Sequence, residues 1–493
     1  MTDSLIPLFA AGVSLAAVPF ILLFRKWPNL REAVTMAAAL AKFGLVMSLL
    51  PGALAGESFQ APSFEILPGI PLLLRADPFG VTFAMIASSL WIVTSVYSIG
   101  YMRGNHEGAQ TRYYSSFAVC VSATIGIAFS GNLITFLLFY ELLTLATYPL
   151  VVHKENAAAI AAGRKYLAYT LTAGVMLIAA VVMTYEATGS IEFRPGGLFE
   201  NANVSSAKMI TIFLLFLGGV GVKAGIMPMH SWLPRAMAAP TPVSALLHAV
   251  AVVKSGVFGV IRVVGFVIGT GTMARFGLDS ILMVFASFTI VVSSLLAFNQ
   301  DNLKRRLAYS TVGHLSYIVL GASLLSHLGM MGSVMHMAAH ATMKITLFFC
   351  AGAIYVNLHR ENISNLNGIA RVMPWTMAAF TIGSLGLAGV PPLNGFYSKW
   401  TLAMGSLQAD HVVPLVILIL SGILNIGYFF PIIHRAYFRK GEHLEGYGEA
   451  SPFMVVPLML TALLSLVLGL VPDLFFNFLT LARQIATSLT GGS

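Results

Sequence analysis

Charged residues are scarce in this chain of 493 residues: Asp, Glu, Lys and Arg make up 10% of it, while 57% is hydrophobic. A soluble domain has about 25% charged and about 45–50% apolar residues. The mean hydropathy of +0.83 agrees with this contrast. The composition therefore excludes an ordinary soluble enzyme and predicts a protein that lies in the lipid bilayer.

Cysteines and the motifs of soluble catalysis are also rare. The two cysteines, Cys120 and Cys350, lie within apolar runs, which predicts buried thiols instead of a disulfide or a redox pair. The sequence has no Cys-x-x-Cys pair, no phosphate-binding glycine loop after a strand and no nucleophile elbow in a suitable context. We therefore expect no cofactor, and the energy must come from an ion gradient or another subunit.

Long apolar segments fill most of the chain. A helix needs about 20 predominantly apolar residues to cross the hydrocarbon core. Such segments predict an all-α polytopic membrane protein with about 14 transmembrane helices. The predicted spans are 4–24, 33–50, 79–101, 113–130, 132–152, 164–186, 208–226, 241–267, 279–298, 306–325, 328–356, 374–403, 411–438 and 452–480.

The basic excess, a formal net charge of +9, is concentrated in loops on one side. Loops after odd-numbered spans contain 17 Lys and Arg residues, whereas loops after even-numbered spans, with the C-terminal tail, contain 5. Because basic residues accumulate on the cytoplasmic side, this split predicts both termini on the outer side. No aromatic stripe or soluble domain accompanies the charge, so we expect no nucleic-acid partner.

The first span is predicted to be a retained helix and not a signal peptide. The residues before it carry no positively charged side chain, and Arg25 and Lys26 follow it. The loops are short and no transit peptide precedes the first span. We therefore expect a bacterial-type inner membrane.

Two spans contain glycine and proline where a continuous helix disfavours them. These are the seventh, with Gly218 to Pro228, and the twelfth, with Gly383 to Gly395. Matched interruptions are typical of an ion pathway between inverted repeats, although simple kinking also produces them. The predicted organisation is three N-terminal helices (1–112), two inverted five-helix repeats (113–268 and 269–440) with broken helices 7 and 12, and helix 14 with a tail (441–493).

Few ionisable residues lie within the spans. An ionised side chain at mid-bilayer costs about 2.5–3.5 kcal/mol, so such residues are rarely kept for packing alone. Lys42 and Arg262 lie near span ends and are expected to extend toward the interface. Glu141 is the only acid at mid-span. The remaining basic residues are candidates for function: Lys223, Lys254, Lys344 and Lys399.

Histidines extend this set. His336, His340 and Lys344 are spaced i, i+4 and i+8, so they line one face of a helix. His248 lies in the eighth predicted span and His314 in the tenth. Zinc binding, haem ligation and a hydrogen-bonded core role remain open for the histidines, and we expect no metal because no carboxylate or thiol completes a zinc site. His230, near the seventh span, is either a proton entrance or an interfacial anchor.

A row of such groups is what a proton path through a low-dielectric interior requires. A carboxylate near a buried lysine favours its protonated form, and withdrawal of the carboxylate favours proton release. Glu141 is the expected partner of Lys223. Lys254 is then expected to receive the proton and pass it toward the second repeat.

Several segments resemble the signature of antiporter-like membrane subunits, a family shared by Mrp-type (multiple resistance and pH) cation/proton antiporters, respiratory complex I and membrane-bound hydrogenases. The resemblance covers about residues 75–440. It implies fourteen helices with two inverted five-helix units, Glu141 and Lys223 as a coupled pair, and Lys399 as the far-end proton site. It also implies that Lys254 and His340 or Lys344 are relays. The segments are Phe216-Leu-Gly-Gly-Val-Gly-Val-Lys223 continuing to Arg235, Ala239-Pro-Thr-Pro continuing to His248, Asp301-Asn-Leu-Lys continuing to Thr311, and Gly389-Val-Pro-Pro continuing to Lys399.

The length, and the end of the chain soon after span fourteen, resemble the D-type subunit of Mrp antiporters. We predict a proton-translocating subunit of a multisubunit Na⁺/proton antiporter whose partners are other membrane subunits. The alternatives are a subunit of a redox-driven pump, such as an NADH-quinone oxidoreductase or a membrane-bound hydrogenase, and a self-contained carrier of a small solute. Because Glu141 is expected to be committed to Lys223, any sodium path is expected to use carboxylates of partner subunits.

Overall fold

A computed structural model describes residues 1–67, 69–441 and 448–491, which are mainly helical. The helices are α1 Ile6–Leu23, α2 Pro28–Met47, α3 Leu50–Leu54, α4 Pro78–Gly104, α5 Gln110–Ala128, α6 Leu133–Val151, α7 Ala157–Thr188, α8 Ser206–Ala224, α9 Trp232–Arg235, α10 Thr241–Ala245, α11 Val252–Arg262, α12 Thr270–Arg275, α13 Leu278–Phe298, α14 Leu303–Ser323, α15 His327–Leu358, α16 Pro374–Ala388, α17 Asn394–Gln408, α18 Val412–Phe438, α19 Pro452–Leu470 and α20 Phe478–Thr490. Short 3₁₀ turns cover Ala236–Ala238, Ile363–Asn365 and Ile369–Arg371.

Five short strands lie near the N-terminus: β1 Thr2–Asp3, β2 Phe59–Gln60, β3 Phe64–Leu67, β4 Ile70–Leu72 and β5 Arg75–Ala76. β2 pairs with β1 in parallel and with β5 antiparallel, with Phe59 opposite Thr2 and Ala76. β3 and β4 form a separate antiparallel pair. These strands connect helices and leave the fold class all-α, as predicted.

The predicted spans coincide with helices, but their number as membrane crossings stays a prediction. Eleven helices within the described residues are long and apolar enough to cross a membrane. Predicted spans 113–130 and 306–325 coincide with α5 and α14, which are outside this set. The predicted span 452–480 is wrong as one helix, because α19 ends at Leu470 and α20 begins at Phe478.

Side-chain caps begin several of these helices. An aspartate or asparagine that precedes a helix accepts a hydrogen bond from one of its first, otherwise unpaired, backbone N–H groups. Asp77 accepts from Gly80 N at 2.7 Å, Asn132 from Thr135 N at 2.7 Å, and Asn156 from Ala159 N at 2.8 Å. These caps fix the starts of α4, α6 and α7.

Two helices are interrupted where the glycine and proline patterns predicted a break. α8 ends at Ala224 and Gly225 follows with φ +72°, whereas α16 ends at Ala388 and Gly389 follows with φ +91°. Glycine adopts this left-handed conformation without steric cost, so it terminates each helix within the core. The chain becomes helical again at Trp232 and at Asn394.

The core of the protein is formed by α15 and by the segment 241–268. α15 packs against α14, α16, α17 and α19, and the segment 241–268 is buried throughout. The eighth predicted span, 241–267, is not a regular α-helix, because Leu246–Val250 and Val263–Ile268 are π-helical. Such wide turns are rare and often occur at functional sites.

The expectation that Lys42 extends toward the interface is wrong, whereas the same expectation for Arg262 stays a prediction. Lys42 is fully buried and its Nζ donates to Ser14 Oγ at 2.7 Å. Arg262 is 1% exposed and both of its terminal nitrogens donate to Asp77. Both cations therefore have local partners within the protein, which the span boundaries could not indicate.

Candidate functional site

Lys223 lies in the last turn of α8 and is fully buried. Its Nζ donates to the backbone carbonyl of Tyr140 on α6 at 2.5 Å and lies 3.4 Å from the centroid of the Tyr140 ring. The Tyr140 phenol in turn donates to the carbonyls of Gly219 and Val220 at 3.3 and 3.4 Å. Tyr140 was not predicted, and it holds the lysine between α6 and α8 through a carbonyl and a π-face.

Glu141 follows Tyr140 on α6 but does not form an ion pair with Lys223. Its Oε1 is buried and has no hydrogen-bond partner among the described residues. Gly174 of α7 makes room for the carboxylate, since a Cβ at that position would lie 2.7 Å from Oε1. Glu141 thus follows directly after Tyr140, whose carbonyl accepts from Lys223, but the carboxylate and the lysine are not bonded. Their role as a coupled pair stays a prediction.

Lys254 lies on α11, which packs closely against the end of α8. A Cβ at Gly256 would lie 2.1 Å from Ala224 N, so glycine is required for this approach. Two residues earlier, Lys254 Nζ lies 2.7 Å from Nδ1 of His340 on α15, and both side chains are fully buried. This hydrogen bond joins the segment expected to receive the proton to the histidine-bearing helix.

The histidines continue the contact toward α17. His314 Nδ1 lies 3.1 Å from His336 Nε2, and His336 Nδ1 lies 2.9 Å from Ser398 Oγ. The His314 and His340 rings are 5.6 Å apart between centroids. The "Lys–His row", as we name Lys254, His340, His314, His336 and Ser398, therefore crosses four helices with one step that is not a direct hydrogen bond.

Lys399 adjoins Ser398 and lies at the second helix break. Its Nζ donates to the carbonyls of Leu387 and Ala388 at 2.6 and 3.2 Å, which are the last two residues of α16. Carbonyls at a helix C-terminus lack intrahelical donors and carry partial negative charge, so they favour an ammonium group. The ring of Tyr317 lies 5.0 Å from the same nitrogen.

Lys344 connects to the row through neutral polar groups. Its Nζ donates to Ser310 Oγ at 2.9 Å, and the Tyr428 phenol oxygen lies 2.9 Å from the same hydroxyl. Tyr428 donates to Asn425, and Asn425 lies 3.4 Å from His314 Nε2. These polar partners were not predicted, although a lone asparagine inside an apolar span was a usable signal for Asn425.

His248 lies outside this hydrogen-bonded connection. It is on the π-helical turn, and its ring centroid is 5.1 Å from that of Phe348. Neither ring nitrogen has a hydrogen-bond partner among the described residues, although the side chain is fully buried. The spacing of residues in the sequence did not indicate this turn.

The remaining polar candidates are placed as follows. His230 is partly buried between α8 and α9, with its ring centroid 6.2 Å from that of Tyr309. Cys120 and Cys350 are free, buried thiols. Within residues 1–67, 69–441 and 448–491, no three His, Cys, Asp or Glu side chains come together as metal ligands.

The chemical character of the row follows from its partners. Imidazole and hydroxyl groups donate and accept hydrogen bonds, so each can pass a proton along the line of contact. The lysines are bonded to carbonyl, imidazole or hydroxyl groups, and none of Lys223, Lys254, Lys344 and Lys399 has a carboxylate within 4 Å among the described residues. A lysine with such neutral partners can bind or release a proton without stranding a buried counter-ion.

The family model "NADH:quinone oxidoreductase/Mrp antiporter, TM" matches residues 130–424, which include every charged or histidine side chain of the row. The chain belongs to this family. The match covers α6 to α17 and both interrupted helices.

Curated relatives of this family member come from several kinds of complex. Hydrogenase-4 component B of Escherichia coli is 30% identical over 83% of this chain, which spans 63% of that protein's length. NADH-quinone oxidoreductase subunit N of Desulforudis audaxviator is 30% identical over 94% of both chains. The A/B subunit of a probable K⁺/H⁺ antiporter from Rhizobium meliloti is 32% identical over 82% of this chain and 40% of its own length.

Solved structures share the fold. A chain of the Mrp complex from Dietzia sp. superposes with a TM-score of 0.88 at 20% identity, covering 99% of this chain and 97% of that one. A chain of the membrane-bound sulfane sulfur reductase, an archaeal respiratory membrane complex, superposes with a TM-score of 0.88 at 23% identity, covering 99% of each. These structures show the shared fold. The family model and the curated relatives make the protein an antiporter-like membrane subunit of the Mrp, complex I and hydrogenase type.

Proposed function

We propose that this subunit carries protons across the membrane along its buried lysines and histidines, within a multisubunit Na⁺/proton antiporter. The observation that carries the proposal is the contact between Lys254 Nζ and His340 Nδ1, because it joins α11 to the histidines that lead to α17. Glu141 and Lys223 act before this contact and Lys399 acts after it. Lys344 provides a side path to the row through Ser310, Tyr428 and Asn425. His248 is a titratable group outside the hydrogen-bonded connection.

The gap between Lys223 and Lys254 sets the order of events in this proposal. No direct hydrogen bond links the two lysines, and Lys223 is held by the Tyr140 carbonyl. When Glu141 moves toward Lys223, the ammonium form is favoured; when it moves away, the proton is released toward Lys254. The space beside Gly174 allows the carboxylate to lie there.

The architecture assigned to this function is a pair of inverted units, 113–268 and 269–440, between N-terminal helices (1–112) and a C-terminal part (441–493). The supporting features are the interrupted helices α8 and α16, which each end at a glycine with positive φ. Buried Lys223 lies two residues before the first glycine, and half-buried Lys399 donates to the last two carbonyls before the second. Both termini lie on the outer side of an inner membrane in this proposal, as the distribution of basic residues indicates.

Variants of the first acid–base pair test the function. We expect Lys223→Ala and Glu141→Ala each to abolish sodium-driven proton movement in vesicles while the complex stays assembled. Lys208→Met, on the same helix as Lys223 but paired with Glu186 at the surface, is the matched control and keeps activity. Preserved antiport in both Lys223→Ala and Glu141→Ala contradicts the proposal.

A redox-driven complex is the second candidate for the parent assembly. It is favoured by the match over 94% of both chains to an NADH-quinone oxidoreductase subunit N. Mass spectrometry of the proteins that co-purify from native membranes in mild detergent separates the two. Hydrophobic subunits alone support the antiporter, whereas iron–sulfur, flavin or nickel–iron proteins support a redox-driven pump that uses the same lysines and histidines.

The sodium path is the least direct part of the proposal. Sodium prefers oxygen ligands, and we assign its path to carboxylates of partner subunits. The sequence supported this assignment through the expected pairing of Glu141 with Lys223, which would leave no carboxylate free for sodium. The structure weakens that support, because Glu141 Oε1 has no hydrogen-bond partner among the described residues. Sodium binding to the isolated chain, lost in Glu141→Gln, would therefore move the sodium path into this subunit.

A further inference from the structure

A basic cleft lies away from the Lys–His row, at the ends of α7, α9 and α14. Its volume is about 410 Å³, and alanines of α7 form part of its wall. Five cationic side chains line it against one carboxylate: Lys154, Lys165, Arg235, Lys304, Arg305 and, as the acid, Glu361.

The cations of this cleft are not neutralised within the protein. None of the five forms an ion pair with a carboxylate within 4 Å in the part of the chain that the structure describes. Lys304 Nζ donates to the carbonyl of Ala239 at 3.0 Å, and Glu361 accepts a hydrogen bond from Asn302. Convergence of like charges is unfavourable, so an anion bound here would be stabilised by several groups at once.

Two helix ends add to the positive potential. α7 begins at Ala157 and α14 begins at Leu303, and residues from both first turns line the cleft. The N-terminus of a helix carries partial positive charge and favours anions. Lysine and arginine are also the side chains that bind phosphate oxygens most readily, arginine in a bidentate manner.

The location favours an anion that belongs to a lipid. All five cations lie in segments that the basic-residue distribution assigns to the cytoplasmic side, where the membrane leaflet is anionic. Basic pockets between helices on this side bind lipid headgroups. Simple sorting of positive charge to the inside requires basic residues in the loops, but it does not require that they converge on one cleft.

An exposed apolar stripe continues from the cleft along α7. Ala161 lines the cleft, and the exposed face continues through Leu171 (47% exposed), Val175 (67%) and Val182 (61%). A free phosphate would make no use of this surface. Acyl chains of a bound phospholipid would cover it, and burial of apolar surface would add to the charge contacts.

We propose that this cleft binds the phosphate of an anionic phospholipid headgroup, with the acyl chains against the exposed face of α7. The cleft contacts three elements close to the proposed proton-carrying residues: α7 bears Gly174 beside Glu141, the α9 segment follows the break after Lys223, and α14 bears His314 of the row. A bound lipid would hold these elements together at one membrane surface.

The test compares two charge-matched triple variants of the purified complex in nanodiscs. Lys165→Gln/Arg235→Gln/Arg305→Gln removes three cations from the cleft, whereas Arg25→Gln/Lys26→Gln/Arg439→Gln removes three exposed cations elsewhere. The probe is fluorescent phosphatidylglycerol in a phosphatidylcholine background. Because each cation contributes about fivefold, we expect the cleft variant to bind the probe about 100-fold more weakly and the control to bind like wild type.

Other outcomes overturn the proposal in distinguishable ways. Equal binding in both triple variants, or equal loss in both, shows that the cleft is not a specific lipid site. Binding of inorganic phosphate at millimolar concentration without retention of phosphatidylglycerol assigns the cleft to a free anion. Loss of an acidic partner subunit from the cleft variant, with unchanged lipid binding, makes it a subunit interface. Co-purification of the remaining subunits with each variant confirms that it has folded.

Discussion

Two buried cations on the same helix have opposite surroundings. Arg262, at the end of α11, is 1% exposed and donates to both carboxylate oxygens of Asp77, at 2.5 and 2.7 Å. Lys254, eight residues earlier, is fully buried and contacts a neutral imidazole. The guanidinium is further enclosed by aromatic rings 4.4–5.2 Å away, those of Phe79, Phe193, Phe258 and Phe266.

The difference separates a buried charge that is held by a counter-ion from a buried lysine that our proposal assigns to proton transport. Arginine keeps its proton in proteins, so it requires a counter-ion when water is excluded. A lysine held by imidazole, hydroxyl or carbonyl oxygen has partners that tolerate either protonation state. The pairing of a buried cation therefore separates a group held in its charged form from one that can bind and release a proton. Contact with the Lys–His row, which Lys42 lacks, is the second requirement for transport in our proposal.

Removing the counter-ion of Arg262 is expected to have the largest effect on stability. Asp77→Ala leaves a buried charge unpaired, which costs about 3–5 kcal/mol in the free energy of unfolding. This loss is measured by comparing the unfolding of the purified wild-type and variant complexes in detergent. In Asp77→Ala/Arg262→Met most of this loss should be recovered, leaving about 1 kcal/mol for the lost cap of α4. Equal stability of the single and double variants would show that the charge pair is not the stabilising element.

A smaller effect is expected from one neutral contact of the Lys–His row. Ser398→Ala removes the hydroxyl bonded to buried His336, so it should slow proton transport about tenfold and lower the free energy of unfolding by about 1–3 kcal/mol, less than Asp77→Ala does. Its pH profile should also shift, since the histidine loses a partner. The control is Ser406→Ala, a buried serine of the same helix that donates to its own backbone. Equal transport rates in both variants would remove Ser398 from the path.

The smallest effect is expected where an ion pair lies in water. Arg112 donates a hydrogen bond to Glu155 and places positive charge beside it, and both effects lower the pKa of Glu155 below its usual value. The contribution of this ion pair to the free energy of unfolding is therefore present above the ordinary glutamate pKa. It is lost as the pH falls through the lower pKa that Glu155 has in the folded protein. Glu155→Gln should change stability little at neutral pH, because the pair is solvated. If Glu155→Gln lowered the free energy of unfolding as much as Asp77→Ala does, burial would not be what makes the Asp77–Arg262 pair important.

Much of the fold followed from the sequence because apolar length and Gly/Pro interruptions have direct physical consequences. The helix positions and the breaks after Ala224 and Ala388 were accessible in this way. The split between α19 and α20 was missed within the largely apolar run 452–480, although Pro472 and Asp473 were a usable signal for it. The π-helical turn at His248 was inaccessible, because it depends on packing between distant helices.

The sequence indicated which residues are candidates for the site, but not which of them contact one another. Charged and histidine side chains are conspicuous within apolar spans, so Lys254 and His340 were identified from their cost in the membrane. Their 2.7 Å contact depends on how α11 meets α15. Neutral partners such as Tyr140 and Ser310 are common in membrane helices and gave no comparable signal. The expected contact between Glu141 and Lys223 is not formed as an ion pair in the structure.

Proton transport by Lys254→Met tests the central claim most directly. The matched control is Lys42→Met, because Lys42 is also fully buried and bonded to a neutral group but lies on α2, away from the row. Both variants are measured as intact complexes in vesicles, with a pH-sensitive dye inside and a sodium gradient across the membrane. The account predicts that Lys254→Met abolishes proton movement and that Lys42→Met retains it. Wild-type proton movement in an assembled Lys254→Met complex would contradict the account.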